Sequence, residues 1–271
     1  MKRKANNPIG IFDSGLGGLT VAGAIKNLLP DEQIIYFGDT AHLPYGDKSK
    51  ETITTYSLKI TEFLLNYNCK AIVVACNTAS ANAIDNIEKT VNDKAIVINV
   101  IDPVVDYVSK INKIKKIGII GTKSTINSKT FEKKLNSVRP DMIIASLATP
   151  LFVPMIEEGF IFDDISNAII RAYLSNEQFK DIDALILACT HYPIIKNQIA
   201  KFFNFKVQII DSSKIVANYL RKTLIDNNLI NEQFSSLDKF FVSDYTPYFQ
   251  DIAGIFYEEP IQLEKVNLWE N

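Results

Sequence analysis

The chain is poor in the residues that build covalent or metal frameworks. It has 3 cysteines in 271 residues and only 2 histidines. So few cysteines, and an odd number, do not read as a disulfide scaffold; each is expected as a free thiol in a reducing compartment. No His/Cys/Asp cluster stands at metal-ligand spacing, so no metal is expected. Neither sign of charge dominates, since 29 Lys and Arg face 31 Asp and Glu for a net charge of −2. A dedicated nucleic-acid binder needs a basic face, so no nucleic-acid partner is expected. No apolar run approaches the roughly 20 residues that cross a bilayer, so no membrane association is expected. The basic start Met1-Lys2-Arg3-Lys4 leads into Asn6-Asn7-Pro8 rather than the apolar stretch of a signal peptide. A cytoplasmic protein is the expectation.

Hydrophobic residues make up 47% of the chain, enough for a large core. The length exceeds one domain of the commonest size, roughly 100–150 residues, and suggests two. Apolar runs at Ile9–Phe12, Ile34–Phe37, Ala71–Ala75, Ala95–Ile98, Lys116–Ile120, Met142–Ala145, Ala184–Ala188 and Val207–Ile210 read as strands. Several are apolar throughout, as parallel strands covered on both faces are. Helical spacing marks Ser49–Tyr67, Ser124–Ser137 and Ile215–Asp226 between and after them. The alternation predicts an α/β protein with parallel, doubly wound sheets. A polar, Asn/Ser-rich connection and a Phe/Tyr-rich tail ending near Trp269 follow, read as packing rather than as a separate unit.

The chain repeats itself. Ile9-Gly10-Ile11-Phe12-Asp13-Ser14 is echoed by Ile117-Gly118-Ile119-Ile120-Gly121-Thr122. Ala71 to Thr78, containing Ala75-Cys76-Asn77-Thr78, is echoed by Ala184 to His191, containing Ala188-Cys189-Thr190-His191. Two strands that both end Ala-Cys-polar-polar, in the same order and at similar spacing, suggest an internal duplication. In open parallel sheets ligands bind beyond the carboxyl ends of strands. Cys76 and Cys189 would then converge on one cleft from opposite sides. A thiol, with a pKa near about 8.5, can remove a proton from a carbon or return one. A cysteine ending a buried strand is also, more plainly, a small hydrophobe; the matched polar settings favour chemistry here. Cys69 has no such setting and reads as structural.

The neighbouring polar residues suit a small anion. Asn77, Thr78, Thr190 and His191 offer donors at expected helix starts, although such residues are commonly just N-caps. His191 could also hold Cys189 as thiolate or simply be a buried histidine. The segment Asp13-Ser14-Gly15-Leu16-Gly17-Gly18-Leu19-Thr20 fails as a dinucleotide fingerprint because position 20 is Thr, and fails as a P-loop because no Gly-Lys-Ser/Thr follows. It reads as a tight turn exposing Asp13 and Ser14. His42-Leu43-Pro44-Tyr45-Gly46 reads as a second shaped loop, with Asp39 before it structural. By spacing alone, Glu157 and Glu158 are a solvated helix end. No lysine is singled out, so a pyridoxal enzyme is unsupported.

Taken together, Gly10 to Val21, Tyr36-Phe37-Gly38-Asp39-Thr40 with Leu43-Pro44-Tyr45-Gly46, Ala75 to Ala81, and Cys189-Thr190-His191-Tyr192-Pro193 resemble the glutamate racemases of the aspartate/glutamate racemase superfamily. The resemblance implies two pseudo-twofold-related α/β domains with the active site between them. Residues 1–100 and 212–271 would form the first, with 101–211 inserted as the second. It implies interconversion of L- and D-glutamate without a cofactor, supplying D-glutamate to peptidoglycan. Cys76 would act on the D enantiomer, assisted by Asp13, and Cys189 on the L enantiomer, assisted by His191. Glu157 matches a family acid near the second thiol; Glu158 has no match. Asp13, Ser14, Tyr45, Gly46, Asn77, Thr78, Thr190 and His191 match positions that hold substrate, with Thr122 and Thr125 joining from the second half. A homodimer is expected. Rival readings are a racemase for aspartate or another small acid, a one-thiol decarboxylase, a small-acid binding protein, and a hydrolase using Cys189 with His191. For the hydrolase, the two-residue separation looks awkward, because such partners usually come from separate segments.

Overall fold

All eight apolar runs become strands, and all of them pair in parallel. The computed structural model describes residues 3–233 and 236–269. Met1 and Lys2 of the basic start, Phe234 and Ser235 of the polar connection, and Glu270 and Asn271 of the tail lie outside the described residues.

The first part of the chain runs β1 (Ile9–Asp13), α1 (Leu19–Leu28), β2 (Ile34–Gly38), α2 (Lys50–Asn66), β3 (Ala71–Val74), α3 (Asn77–Asn82), α4 (Ile84–Val91), β4 (Ile96–Asn99) and α5 (Asp102–Ser109). The second runs β5 (Lys116–Gly121), α6 (Lys123–Asn127), α7 (Thr130–Val138), β6 (Ile143–Ala148), α8 (Phe152–Glu157), α9 (Asp164–Leu174), β7 (Ala184–Ala188), α10 (Lys196–Phe202) and β8 (Gln208–Asp211). The chain then adds α11 (Ser212–Asp226), β9 (Lys239–Val242), α12 (Pro247–Tyr257) and β10 (Leu263–Lys265).

One sheet has the order β10-β9-β2-β1-β3-β4 and the other β6-β5-β7-β8. The repeated sequence falls on equivalent strands. β1 and β5 are the first strands of a shared second-first-third-fourth order, and β3 and β7 are the third. These central strands are buried along nearly their whole length, as the unbroken apolar runs require. The edge strands β6 and β8 are only partly covered. One apolar cluster runs from Ile11, Tyr36 and Val73 of the first sheet to Leu185 and Leu187 of the second, so the two sheets share a core. Among the described residues, no helix is long and apolar enough to cross a membrane.

Two expectations need correction. The helix expected over Ser124–Ser137 is two helices, α6 and α7. Lys129 sits between them at φ 56°, a left-handed conformation that no α-helix continues through. Ser128 holds the break, its Oγ donating to the Thr125 carbonyl at 2.7 Å and accepting from the Thr130 N–H at 3.2 Å. The C-terminal tail is also more than packing. β9 pairs with β2, and β10 with β9, widening the first sheet by two strands. α2 matches its expected span, with Ser49 as N-cap accepting from the Thr52 N–H.

Cys69 packs where the sequence suggested, its Sγ beneath β1 at 3.0 Å from where a Cβ on Gly10 would stand. Burial pushes its thiol pKa up to about 12. A buried ion pair lies at the opposite end of the sheet from the site described below. Lys70 Nζ meets Glu32 Oε2 at 2.5 Å, with both side chains essentially inaccessible. Lys70 also donates to the Ala5 carbonyl, and Glu32 Oε1 accepts the Asn231 N–H at 2.9 Å. Four distant chain segments therefore meet at one pair of charges. Removing one charge strands the other in the core, so Lys70→Met is expected to cost about 3–5 kcal/mol of stability. Lys70→Met combined with Glu32→Leu should cost clearly less, as urea unfolding of both variants will register.

Candidate active site

The carboxyl ends of the equivalent strands supply the site. β1 ends in Asp13, β3 leads through Ala75 to Cys76, β5 leads to Thr122, and β7 leads to Cys189. Cys76 and Cys189 line one narrow cavity between the two sheets. Ser14, Tyr45, Gly46, Asn77 and Thr78 join the Cys76 side, and Thr122, Glu157, Thr190 and His191 come from the other. Asp13 and Thr125 do not line the cavity; they stand behind residues that do.

On the Cys76 side, the sulphur caps α3 and accepts the Ala79 N–H at 3.4 Å. Burial, then the nearby Asp13 carboxylate, push its thiol pKa up to about 12, against smaller help from Ala79 and Ser14. Cys189 adds to the upward push, so the two sulphurs feel each other across the cavity. Asp13 is fully buried, accepting the Gly15 N–H at 3.1 Å and the Thr190 hydroxyl at 3.3 Å. Burial raises its pKa, while His191 and the Gly18, Gly15 and Thr190 hydrogen bonds oppose the rise.

On the Cys189 side, the turn after β7 folds His191 back so that Nδ1 lies 3.9 Å from the Cys189 sulphur. The spacing argument against that pair therefore does not hold: two residues suffice in this turn. Glu157, at the end of α8, accepts from His191 Nε2 at 2.9 Å. Burial alone would push the imidazole pKa down, but Cys189 and Glu157 outweigh it and raise it to about 10. Glu157 is thus not the free solvated helix end that spacing suggested, whereas Glu158 stays outside the cavity.

A group of neutral hydroxyls lies at the cavity wall and just behind it. Thr78, Thr122 and Thr125 hydrogen-bond one another at 2.9, 3.1 and 3.0 Å, linking the loops of the two sheets. Asn77 is the exception to this satisfaction. Its side chain is 3% exposed, and neither its amide nitrogen nor its oxygen has a hydrogen-bond partner. Buried polar groups are almost always paired, so an unpaired amide on a cavity wall points to a ligand that pairs it. Tyr45 donates to Asp39 Oδ2 at 2.7 Å, and burial followed by Asp39 raises its phenol pKa well above 10. Among the described residues, no group of three or more His, Cys, Asp or Glu comes together that could hold a metal ion.

Sequence reasoning missed several contributors. A Cβ on Gly17 would stand 2.4 Å from His191 Nδ1 and 2.6 Å from Thr190 Oγ1, so the glycine-rich turn is shaped to admit His191. Gly46, by contrast, was among the expected substrate positions; it meets Thr122, where a Cβ would lie 2.7 Å from the threonine Cβ. α12 reaches over with Tyr248, which donates to the Glu157 carbonyl, and with Phe256, edge-on to His191 at 5.2 Å. Leu43, Pro44 and Val153 also face the cavity. The Gly-Leu-Gly-Gly run signalled a tight turn; nothing local in the sequence announced the α12 contacts.

Residues 19–220 match the Asp/Glu/hydantoin racemase family. A glutamate racemase of Persephonella marina is 42% identical over 260 residues, covering 96% of this chain and 97% of the relative. A glutamate racemase of Aquifex pyrophilus is 43% identical over 242 residues, covering 89% and 91%. The crystal structure of glutamate racemase from Francisella tularensis in complex with D-glutamate superposes with a TM-score of 0.91 at 41% identity, covering 98% of this chain and 99% of that one. The isoform RacE1 from Bacillus anthracis superposes at 0.90 with 34% identity over 97% and 98%. With family match, full-length relatives and fold in agreement, the chain belongs to the Asp/Glu/hydantoin racemase family.

Proposed function

We infer that this racemase interconverts L- and D-glutamate by passing protons between the substrate α-carbon and two cysteines, Cys76 and Cys189. The observation that carries the reading is that both thiols line one cavity at equivalent strand ends. Glutamate is taken from the full-length relatives, which are glutamate racemases, and from the D-glutamate complex of the Francisella protein. The division of the chain at residues 100–101 and 211–212 belongs to the same reading: strands within 9–99 and 239–265 build one sheet and strands within 116–211 the other. The D-glutamate formed is the enantiomer that bacterial peptidoglycan takes up, and supplying it in the cytoplasm is the role that fits.

In the L-to-D direction, the Cys189 sulphur takes the α-proton and the Cys76 S–H delivers another proton to the opposite face. The high thiol pKa of Cys76 keeps it protonated and ready for that delivery. In the D-to-L direction the roles exchange. Binding brings the substrate ammonium toward the Asp13 side, where positive charge eases loss of the Cys76 proton. His191 and Glu157 form a short relay behind Cys189, and Asp13 accompanies Cys76.

The obstacle is the weak acidity of an amino-acid α-proton against a modest sulphur base. Each pKa unit of mismatch costs about 1.4 kcal/mol. Donors fixed before the reaction, in a cavity that excludes water, lower that cost. The unpaired Asn77 amide, with Ser14 beside it, supplies such donors, and the substrate carboxylate is their natural acceptor. The hydrolase rival loses ground to the family match, not to geometry, because Cys189 and His191 do touch. A decarboxylase would leave the second thiol unused.

Turnover of both enantiomers of glutamate and aspartate by the purified chain tests the reading directly. L-Glutamate in deuterated water is expected to yield D-glutamate carrying α-deuterium with nothing added, and a strict requirement for pyridoxal phosphate would remove the two-thiol mechanism. Cys76→Ala and Cys189→Ala should each lower racemisation at least about 10²–10⁴-fold, while Cys69→Ala keeps most of it. Full activity in either of the first two defeats the assignment.

The relay has a pH signature. His191 has its pKa raised from 6.5 to about 10, so it stays protonated below that value and loses its proton as pH rises through it. Glu157→Gln removes one of the charges that raise it. The alkaline fall in kcat/KM for L-glutamate should therefore move to lower pH, measured as a rate profile in the two proteins. Gly17→Ala should displace His191 and lower kcat about 10²-fold, a misplacement effect visible in steady-state kinetics.

A further inference from the structure

The loop after β2 forms one wall of the cavity through Leu43, Pro44, Tyr45 and Gly46. Its root is Asp39, which is fully buried. Four side chains donate to that carboxylate: Tyr45 at 2.7 Å, Ser243 at 2.7 Å, His42 at 3.0 Å and Trp269 Nε1 at 3.1 Å. His42 and Tyr45 belong to the loop itself. Ser243 and Trp269 come from the C-terminal part of the chain, more than 200 residues away.

Trp269 does more than donate. Its ring stands edge-on to His42 at 4.6 Å and to Tyr56 of α2 at 5.0 Å, and Lys59 Nζ lies over it at 5.2 Å from the centroid. His42 stacks on Tyr56 at 4.1 Å, and Tyr56 lies 5.8 Å from the Tyr45 ring. The indole thus closes a box of rings whose far wall is Tyr45, the residue that faces the cavity. A packing tryptophan needs only to cover apolar surface. This one directs its N–H at a buried carboxylate that also orients Tyr45, and charge-assisted hydrogen bonds of that kind are strong and directional.

We propose that Trp269 is a positioning residue: through Asp39, His42 and Tyr56 it sets the placement of Tyr45 and the loop wall, and so the affinity of the cavity for its amino acid. The proposal rests on the functional reading only for the choice of glutamate as the probe.

Trp269 is the only tryptophan of the chain, so emission excited beyond the tyrosine absorption band reports on this box alone. Two variants separate its parts. Trp269→Phe keeps a ring against His42 and Tyr56 and loses the N–H; Trp269→Ala loses both. KM for both enantiomers of glutamate is expected to rise about threefold in the first and about tenfold in the second, with kcat within about twofold of the unaltered chain. A tryptophan that served stability alone would lower the melting temperature and the active fraction, and hence kcat, with KM unmoved. In the unaltered full chain, titration with D-glutamate should change tryptophan emission saturably. Unmoved KM in both variants, or emission indifferent to glutamate in a chain that turns it over, overturns the proposal. Failure of the unaltered chain to racemise glutamate would overturn the functional reading; the emission titration is then run with the amino acid the chain does turn over, and indifference to it overturns the positioning proposal.

Discussion

The two sulphurs share one narrow cavity but face charges of opposite character. Cys76 sits near the buried carboxylate of Asp13, and Cys189 touches an imidazole that Glu157 helps keep protonated. A repeated fold alone would give two equivalent thiols. Breaking that equivalence gives the two thiols different electrostatic surroundings, a buried carboxylate near one and an imidazole beside the other. The asymmetry originates where the repeat diverges: β1 ends in Asp13 where β5 ends in Gly121, and Asn77-Thr78 after Cys76 is replaced by Thr190-His191 after Cys189.

The opposed charges are also tied to each other. Thr190 carries its hydroxyl to Asp13 while its own carbonyl accepts from Thr20, so the Cys189 turn is fastened to the first helix beside the carboxylate that neighbours Cys76. Gly17, between Asp13 and Thr20, leaves space for His191. From the other direction, α12 fixes Glu157 through Tyr248 and covers His191 with Phe256. The cavity-lining groups of one sheet are therefore braced by elements of the other, and a shared apolar cluster lies beneath both sheets.

How much of this was legible in the sequence follows from which interactions are local. Strands β1 to β8 were readable because parallel strands buried on both faces need uninterrupted apolar runs. The site side chains just past strand ends were readable for a related reason: a polar residue or thiol directly after such a run must stand at the sheet's carboxyl end. The break at Lys129 was not readable, because a lysine in a left-handed conformation carries no sequence mark. β9 and β10 are four and three residues long and begin or end in charge, so their apolar signal is weak; they exist because β2 offers them an edge. Glu157 looked like surface by spacing, and only the family resemblance singled it out. Asp39 was expected to be structural, but its contact with Trp269 spans 230 positions and no local pattern encodes it.

The meeting of Gly46 with Thr122 bears on how a ligand gets in. The backbone at Gly46 lies so near the threonine that the opposing lips of the cleft touch, and Asp47 and Lys123 bridge the same seam at 3.1 Å on the outside. Any parting of these lips breaks an exposed ion pair that dissolved salt screens. Even a methyl group at position 46 would act as a wedge, pressing the two lips apart.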